Sequence, residues 1–134
     1  MRRIFLFGAI IVVSACHSAQ KAAEHVVSQD LPDPGSARFR NFHINNEGVV
    51  CGEVNGKDRK GAYSGFRKFV YYSHTGNHHL EPEDISAQFE DAMSVCRASY
   101  GTGVVVDACQ EAEKLAPAQR ILTEFRDRYT IDCR

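Results

Sequence analysis

The chain has 134 residues with sixteen Lys+Arg against seventeen Asp+Glu, a formal net charge of −1. So mild a balance gives no footing for a nucleic-acid partner, and the length suits one modest domain with a small core. The charge is unevenly spread: residues 38–72 hold seven basic groups (Arg38, Arg40, Lys57, Arg59, Lys60, Arg67, Lys68) and three acids, whereas residues 81–134 hold six basic and eleven acidic. Two halves of opposite sign complement each other across a fold, or else present a basic face to anionic head groups or an acidic partner.

The first sixteen residues are MRRIFLFGAIIVVSAC. Arg2 and Arg3 precede an apolar run from Ile4 to Val13, too short for a transmembrane helix, which needs about 20 residues. Val13-Ser14-Ala15-Cys16 then closes the run with small residues, the pattern of an export signal. An aliphatic residue, two small ones and Cys resemble the lipobox of bacterial lipoproteins. The resemblance implies cleavage after residue 15 and lipidation of Cys16, leaving fourteen basic against seventeen acidic groups. It also implies an outer-membrane anchor facing the periplasm, because His17, not Asp, follows the cysteine.

Residues 16–30 are Ala-rich and form either a lipidated tether or a short helix. Leu31-Pro32-Asp33-Pro34-Gly35 is turn chemistry. A strand is expected over Arg38–Ile44, a hairpin connection over Asn45–Gly48, and a second strand over Val49–Asn55. Gly56–Gly61 reads as a basic loop and Tyr63–Ser73 as a longer third strand, with Thr75-Gly76-Asn77 turning the chain out of the sheet. Pro82, Glu83 and Asp84 suit a helix start, and Ile85, Phe89, Met93, Cys96 and Tyr100 form an apolar stripe ended by Gly101-Thr102-Gly103. Asp107 with Gln110 resembles a capping arrangement for a second helix. Pro117 is expected to interrupt that helix, with Ile121, Leu122, Phe125 and Tyr129 continuing a stripe beyond it.

The expected fold is α+β: a three-stranded antiparallel meander followed by two or three helices packed on one face. The expected organisation is a signal peptide over 1–15, the tether or short helix over 16–30, and one domain over 31–134, with 31–100 its core and 101–134 a helical extension. Cys51, Cys96, Cys109 and Cys133 remain once Cys16 is set aside. An even number in a small exported chain reads as two disulfides, with three pairings open.

Three blocks carry a further resemblance: Asp33-Pro34-Gly35-Ser36-Ala37-Arg38-Phe39-Arg40-Asn41, Val50-Cys51-Gly52-Glu53-Val54-Asn55, and Gly61-Ala62-Tyr63-Ser64-Gly65-Phe66-Arg67-Lys68-Phe69. In order and spacing they resemble a family of small exported bacterial proteins of unassigned function marked by DPxSAxFRN, VCGEVN and GGYxGFxxF. Ala62 departs from the pattern, which has a second Gly there. The resemblance covers residues 31–96 and implies that shorter relatives are complete without the tail. Cys51 would then pair with Cys96, and Cys109 with Cys133.

Clustered imidazoles can ligate metal, but His74, His78 and His79 fall on a turn, with His43 elsewhere, so no metal or cofactor is expected. Glu53 lies inside an apolar strand, where a carboxylate needs a partner; Arg38, Arg40 or Arg67 could supply it, with Glu53 and Arg40 the expected buried ion pair. Lys57, Arg59, Lys60, Tyr63, Arg67 and Lys68 are the candidate binding residues, a basic loop beside aromatics on an open sheet face. These features point to a non-enzymatic envelope lipoprotein that docks onto an envelope protein, with its membrane contact made through the lipid. The alternatives are a small hydrolase using Glu53 and a histidine, and an inhibitor of an envelope-attacking enzyme.

Overall fold

A computed structural model describes residues 12–100, 102 and 107–134. The proposed signal run up to residue 11 and most of the Gly101–Gly103 stop lie outside the described residues. The elements are α1 (Val12–Ser28), a 3-10 turn (Pro34–Ser36), β1 (Arg38–Ile44), β2 (Val49–Asn55), β3 (Arg67–Tyr72), β4 (His78–Leu80), α2 (Ser86–Ser99) and α3 (Asp107–Asp132). The class is α+β as expected, with one antiparallel sheet in the order β1-β2-β3-β4. The chain divides into two compact units. The first runs through Leu80 and takes in Cys133 and Arg134; the second spans Glu81–Asp132.

In the first unit β1 and β2 have the predicted bounds. Asn45 makes the connection between them, its side-chain oxygen accepting from the backbone N–H of Glu47 (2.9 Å) and of Val49 (3.0 Å). The meander has a fourth strand that the sequence reading lacks. Thr75-Gly76-Asn77 is a hairpin turn, not an exit: Gly76 takes φ +74°, the Tyr72 N–H donates to the Asn77 carbonyl at 2.9 Å, and His78–Leu80 returns along β3. β3 is also shorter than expected, because Gly65 at φ +105° bends residues 63–66 out of the strand.

Alternation along β2 sorts the sheet's two faces. Val50 and Val54, with Phe69 and Tyr71 of β3, meet Ala23, Val27 and Leu31 in the core. Phe69 is fully buried, with Phe39 edge-on at 5.8 Å and Phe42 at 5.9 Å. Its ring occupies the space beside Gly52, where a Cβ would lie 2.8 Å from two ring carbons. Of the two forms expected for residues 16–30, the structure has the helix. Ala19, Ala22, Ala23, Val26 and Val27 recur at three- and four-residue steps, which turns one helical face onto the sheet. No described helix is long and apolar enough to cross a membrane.

In the second unit α2 and α3 form an antiparallel hairpin. Its buried side chains are Ala92, Ala112, Leu122 and Phe125. Tyr100 and Ile121, expected in apolar stripes, are 90% and 56% exposed. Helix α2 starts at Ser86, after the Pro82–Asp84 segment predicted to open it. Helix α3 begins at Asp107 and runs unbroken through Pro117. The proline removes one N–H, but it is exposed, so the carbonyl it would have bonded can be hydrated.

That unbroken helix excludes one of the three cysteine pairings. Residues 109 and 133 stand at opposite ends of it, about 35 Å apart along the axis, far beyond disulfide reach. The bridges are Cys51–Cys133 and Cys96–Cys109, which overturns the pairing implied by the resemblance. Cys96–Cys109 closes one end of the hairpin. At the other end Arg126 reaches Glu81 (3.3 Å), Asp84 (2.8 Å) and Ser86 Oγ (3.4 Å).

Three outcomes follow from this packing. Gly52→Ala forces a methyl into the buried Phe69 ring and should destabilise by about 1–3 kcal/mol in urea unfolding. Losing the Cys51–Cys133 bridge, whose partners are 82 residues apart, should cost about 2–5 kcal/mol in a Cys51→Ser/Cys133→Ser variant. Asp84, which accepts from the Ser86 backbone N–H and then from Arg126, has its carboxyl pulled from 3.8 down to about 2. A depressed carboxyl stabilises above its unfolded value and loses that contribution as pH falls through the folded one. Helical ellipticity should therefore soften between about pH 4 and 2 in the native chain, and less across that window in Asp84→Asn.

Candidate functional site

Arg38 and Arg40 alternate onto the sheet face that α1 does not cover, opposite Asn55 and Glu53 of β2; Lys68 of β3 continues the row. The Arg40–Glu53 pair forms as predicted, Nε to Oε2 at 2.6 Å, but it is not buried: the side chains are 51% and 22% exposed. Strand parity is the reason, because Glu53 sits between the core residues Gly52 and Val54 and points the other way. Asn41, at φ +55° where the β1–β2 register shifts, adds a second donor to the same Glu53 oxygen at 3.0 Å. The hydrogen bond from Arg40, then that from Asn41, hold the Glu53 carboxyl below its usual range against the opposing effect of burial.

The segment between β2 and β3 folds back over this row. Lys57 and Tyr63 form a two-residue antiparallel bridge that closes the loop. Inside it the Asp58 carboxylate accepts from the Lys60 and Ala62 N–H groups at 2.8 and 3.0 Å. Ser36 fastens the loop to the turn before β1: its Oγ accepts from the Lys57 N–H (2.8 Å) and its carbonyl accepts from the Tyr63 hydroxyl (3.3 Å). Asn55 holds the far end, accepting from the Gly65 N–H at 3.2 Å.

These anchors place two rings under two arginines. The Arg38 guanidinium carbon lies 4.3 Å from the Tyr63 ring centre, and Lys57 Nζ lies 5.8 Å from the same centre. The Arg40 guanidinium carbon lies 3.6 Å from the Phe66 ring centre. Both rings remain 37% exposed. The arrangement is a preset cationic-aromatic surface of Arg38, Arg40, Lys57, Lys68, Tyr63 and Phe66, with one acid, Glu53, at its centre. It can offer guanidinium N–H groups, held flat by the rings, to carboxylate or phosphate oxygens.

Of the predicted binding residues, Lys57, Tyr63 and Lys68 contribute to this surface, and Arg59 and Lys60 stand exposed in the adjoining loop. Arg67 does not join Lys68: it faces Val54 across the strands and belongs by alternation to the α1 side. Arg38 and Phe66 join this surface without having been singled out for it, although an Arg at two-residue spacing from Arg40 on a strand signals a shared face. The histidines are dispersed. His78 bonds the Asp30 carboxylate at 2.8 Å, His79 packs edge-on to Tyr72, and His43 Nε2 lies 3.4 Å from the Arg134 carbonyl. Among the described residues no three His, Cys, Asp or Glu side chains converge as metal ligands.

The three sequence blocks quoted above meet here, through Ser36–Tyr63, Arg40–Glu53, Arg40–Phe66 and Asn55–Gly65. Comparison with protein-family models, curated proteins and solved structures yields no match for the chain.

The Arg40–Phe66 stack has a direct readout. Ring current should shift the Arg40 side-chain protons upfield, and Phe66→Leu should abolish that shift at a stability cost of no more than about 1 kcal/mol. An unshifted native spectrum would contradict the stack.

Proposed function

We propose that this chain is an exported lipoprotein anchored through Cys16, whose sheet serves as a non-enzymatic docking domain for an anionic envelope component. The observation that carries the reading is the pair of arginine–aromatic stacks, which are exposed yet fixed by Ser36, Asn55 and Glu53. Rings already immobilised lose little entropy on binding, and Arg and Tyr are the residue types that dominate binding hot spots. The two disulfides are compatible with a chain outside the reducing cytosol. An outer-membrane position facing the periplasm belongs to the same proposal and rests on the signal and His17. The hydrolase reading has less support, because a general acid needs a raised carboxyl and Glu53 is lowered.

The test is a cross-linked pull-down from solubilised envelopes with the full-length protein, a Cys16→Ser form and an Arg38→Glu/Lys57→Glu variant. One stoichiometric partner recovered with the first two, and depleted at least tenfold with the third, is the expected result. Equal recovery with the charge-reversed variant would remove this face from the account.

A further inference from the structure

The cationic-aromatic face could meet either lipid head groups or an acid presented from the aqueous side, and the anchor geometry separates the two. Helix α1 is continuous from before Cys16 to Ser28, and Ala19 is already packed on the core. The three Cα–Cα steps from the anchor to the first core contact allow at most about 10 Å of slack, even if the start of the helix frays. The other end of the helix leads to the face. From Cys16 to Ser28 the helix rises about 18 Å. Leu31 then packs on Gly56, where a Cβ would be 2.8 Å from its Cδ1, and Lys57 follows directly.

Lys57 therefore stands beside the end of α1 remote from the anchor, and the row it adjoins lies on the sheet side opposite α1. With α1 upright, the face stands about 18 Å above the bilayer, more than two Debye lengths at physiological salt. With α1 lying flat, the face points away from the bilayer. Turning it onto the lipid would carry Cys16 past the helix, itself about 10–12 Å thick, and past the sheet, more than the slack allows.

Resting on the anchor reading above, we infer that this face points into the aqueous compartment and takes an acidic, extended polypeptide segment. The polypeptide is favoured over a polysaccharide because β1 is an edge strand of the sheet. An added strand would pair its backbone along Arg38–Arg40, and acids at every second residue would recur about every 7 Å, as those two arginines do. The register shift beyond Arg40 confines the pairing to this end of β1.

The test couples residues 16–134 through the Cys16 thiol to maleimide-lipid vesicles, either zwitterionic or containing about a third anionic phosphatidylglycerol. A fluorescent peptide of alternating Glu and Thr is the probe, and dextran sulfate is the rival ligand. Peptide affinity should agree within twofold between the two vesicle types and the uncoupled Cys16→Ser protein. It should fall at least tenfold in Arg38→Glu/Lys57→Glu, whose circular dichroism should match the native chain. A fivefold or greater loss on anionic vesicles would place the face on lipid and overturn the inference. Binding of dextran sulfate without the peptide, or of neither, would overturn the polypeptide assignment. Chemical coupling separates this from the anchor itself: absence of palmitate label at Cys16 in cells would sink lipidation while leaving the vesicle result standing as a property of the fold.

Discussion

The first unit is organised by a missing side chain. Phe69 lies where a Cβ at residue 52 would stand, and its burial sets which side of β2 is core. Val50 and Val54 share that side and receive α1; Cys51, Glu53 and Asn55 are turned to the other by alternation alone. The polar jobs of β2 follow from that parity. Cys51 forms a disulfide, Glu53 orients Arg40, and Asn55 holds Gly65. A one-residue slip would exchange the core set for the polar set, so the close contact at Gly52 specifies register as well as packing.

The surface has the same origin. Glu53 draws Arg40 across the row, Asn41 takes a left-handed conformation to reach the same carboxylate, and the loop after β2 brings Tyr63 and Phe66 to the two arginines. Both rings and both arginines are exposed, and Arg40 and Tyr63 are each fixed by a second contact, to Glu53 and to the Ser36 carbonyl. Exposed residues gain little stability from such ordering. Under the docking proposal the arrangement serves as preorganisation for an anionic ligand.

Local signals were legible in the sequence where a single physical rule governs. The bounds of β1 and β2 followed from β-branched and aromatic runs flanked by Asn-Gly turn chemistry, and the Arg40–Glu53 pair from the cost of a lone strand carboxylate. Features that depend on distant packing were not legible. Residues 16–30 hold few large apolar groups, yet Ala23 and Val27 are fully buried because small side chains let α1 approach the sheet closely. Pro117 reads locally as a break, but exposure lets α3 continue, and that continuity forbids Cys109–Cys133. His78 and His79 read as turn residues, and only pairing with β3 shows them to be a strand. The cationic-aromatic surface was half-visible: the basic loop was evident, whereas the partnership of Arg38 with Tyr63 needed the loop to fold back.

The central claim is that the Arg38–Arg40–Tyr63–Phe66 face, and not the outer side of α1, meets a partner in the cell. Site-specific photo-cross-linking tests it most directly, with benzoylphenylalanine replacing Phe66 in one strain and Lys21 in another. One discrete adduct is expected from position 66 and none from position 21. No adduct at 66, or the same adducts from both positions, would contradict it.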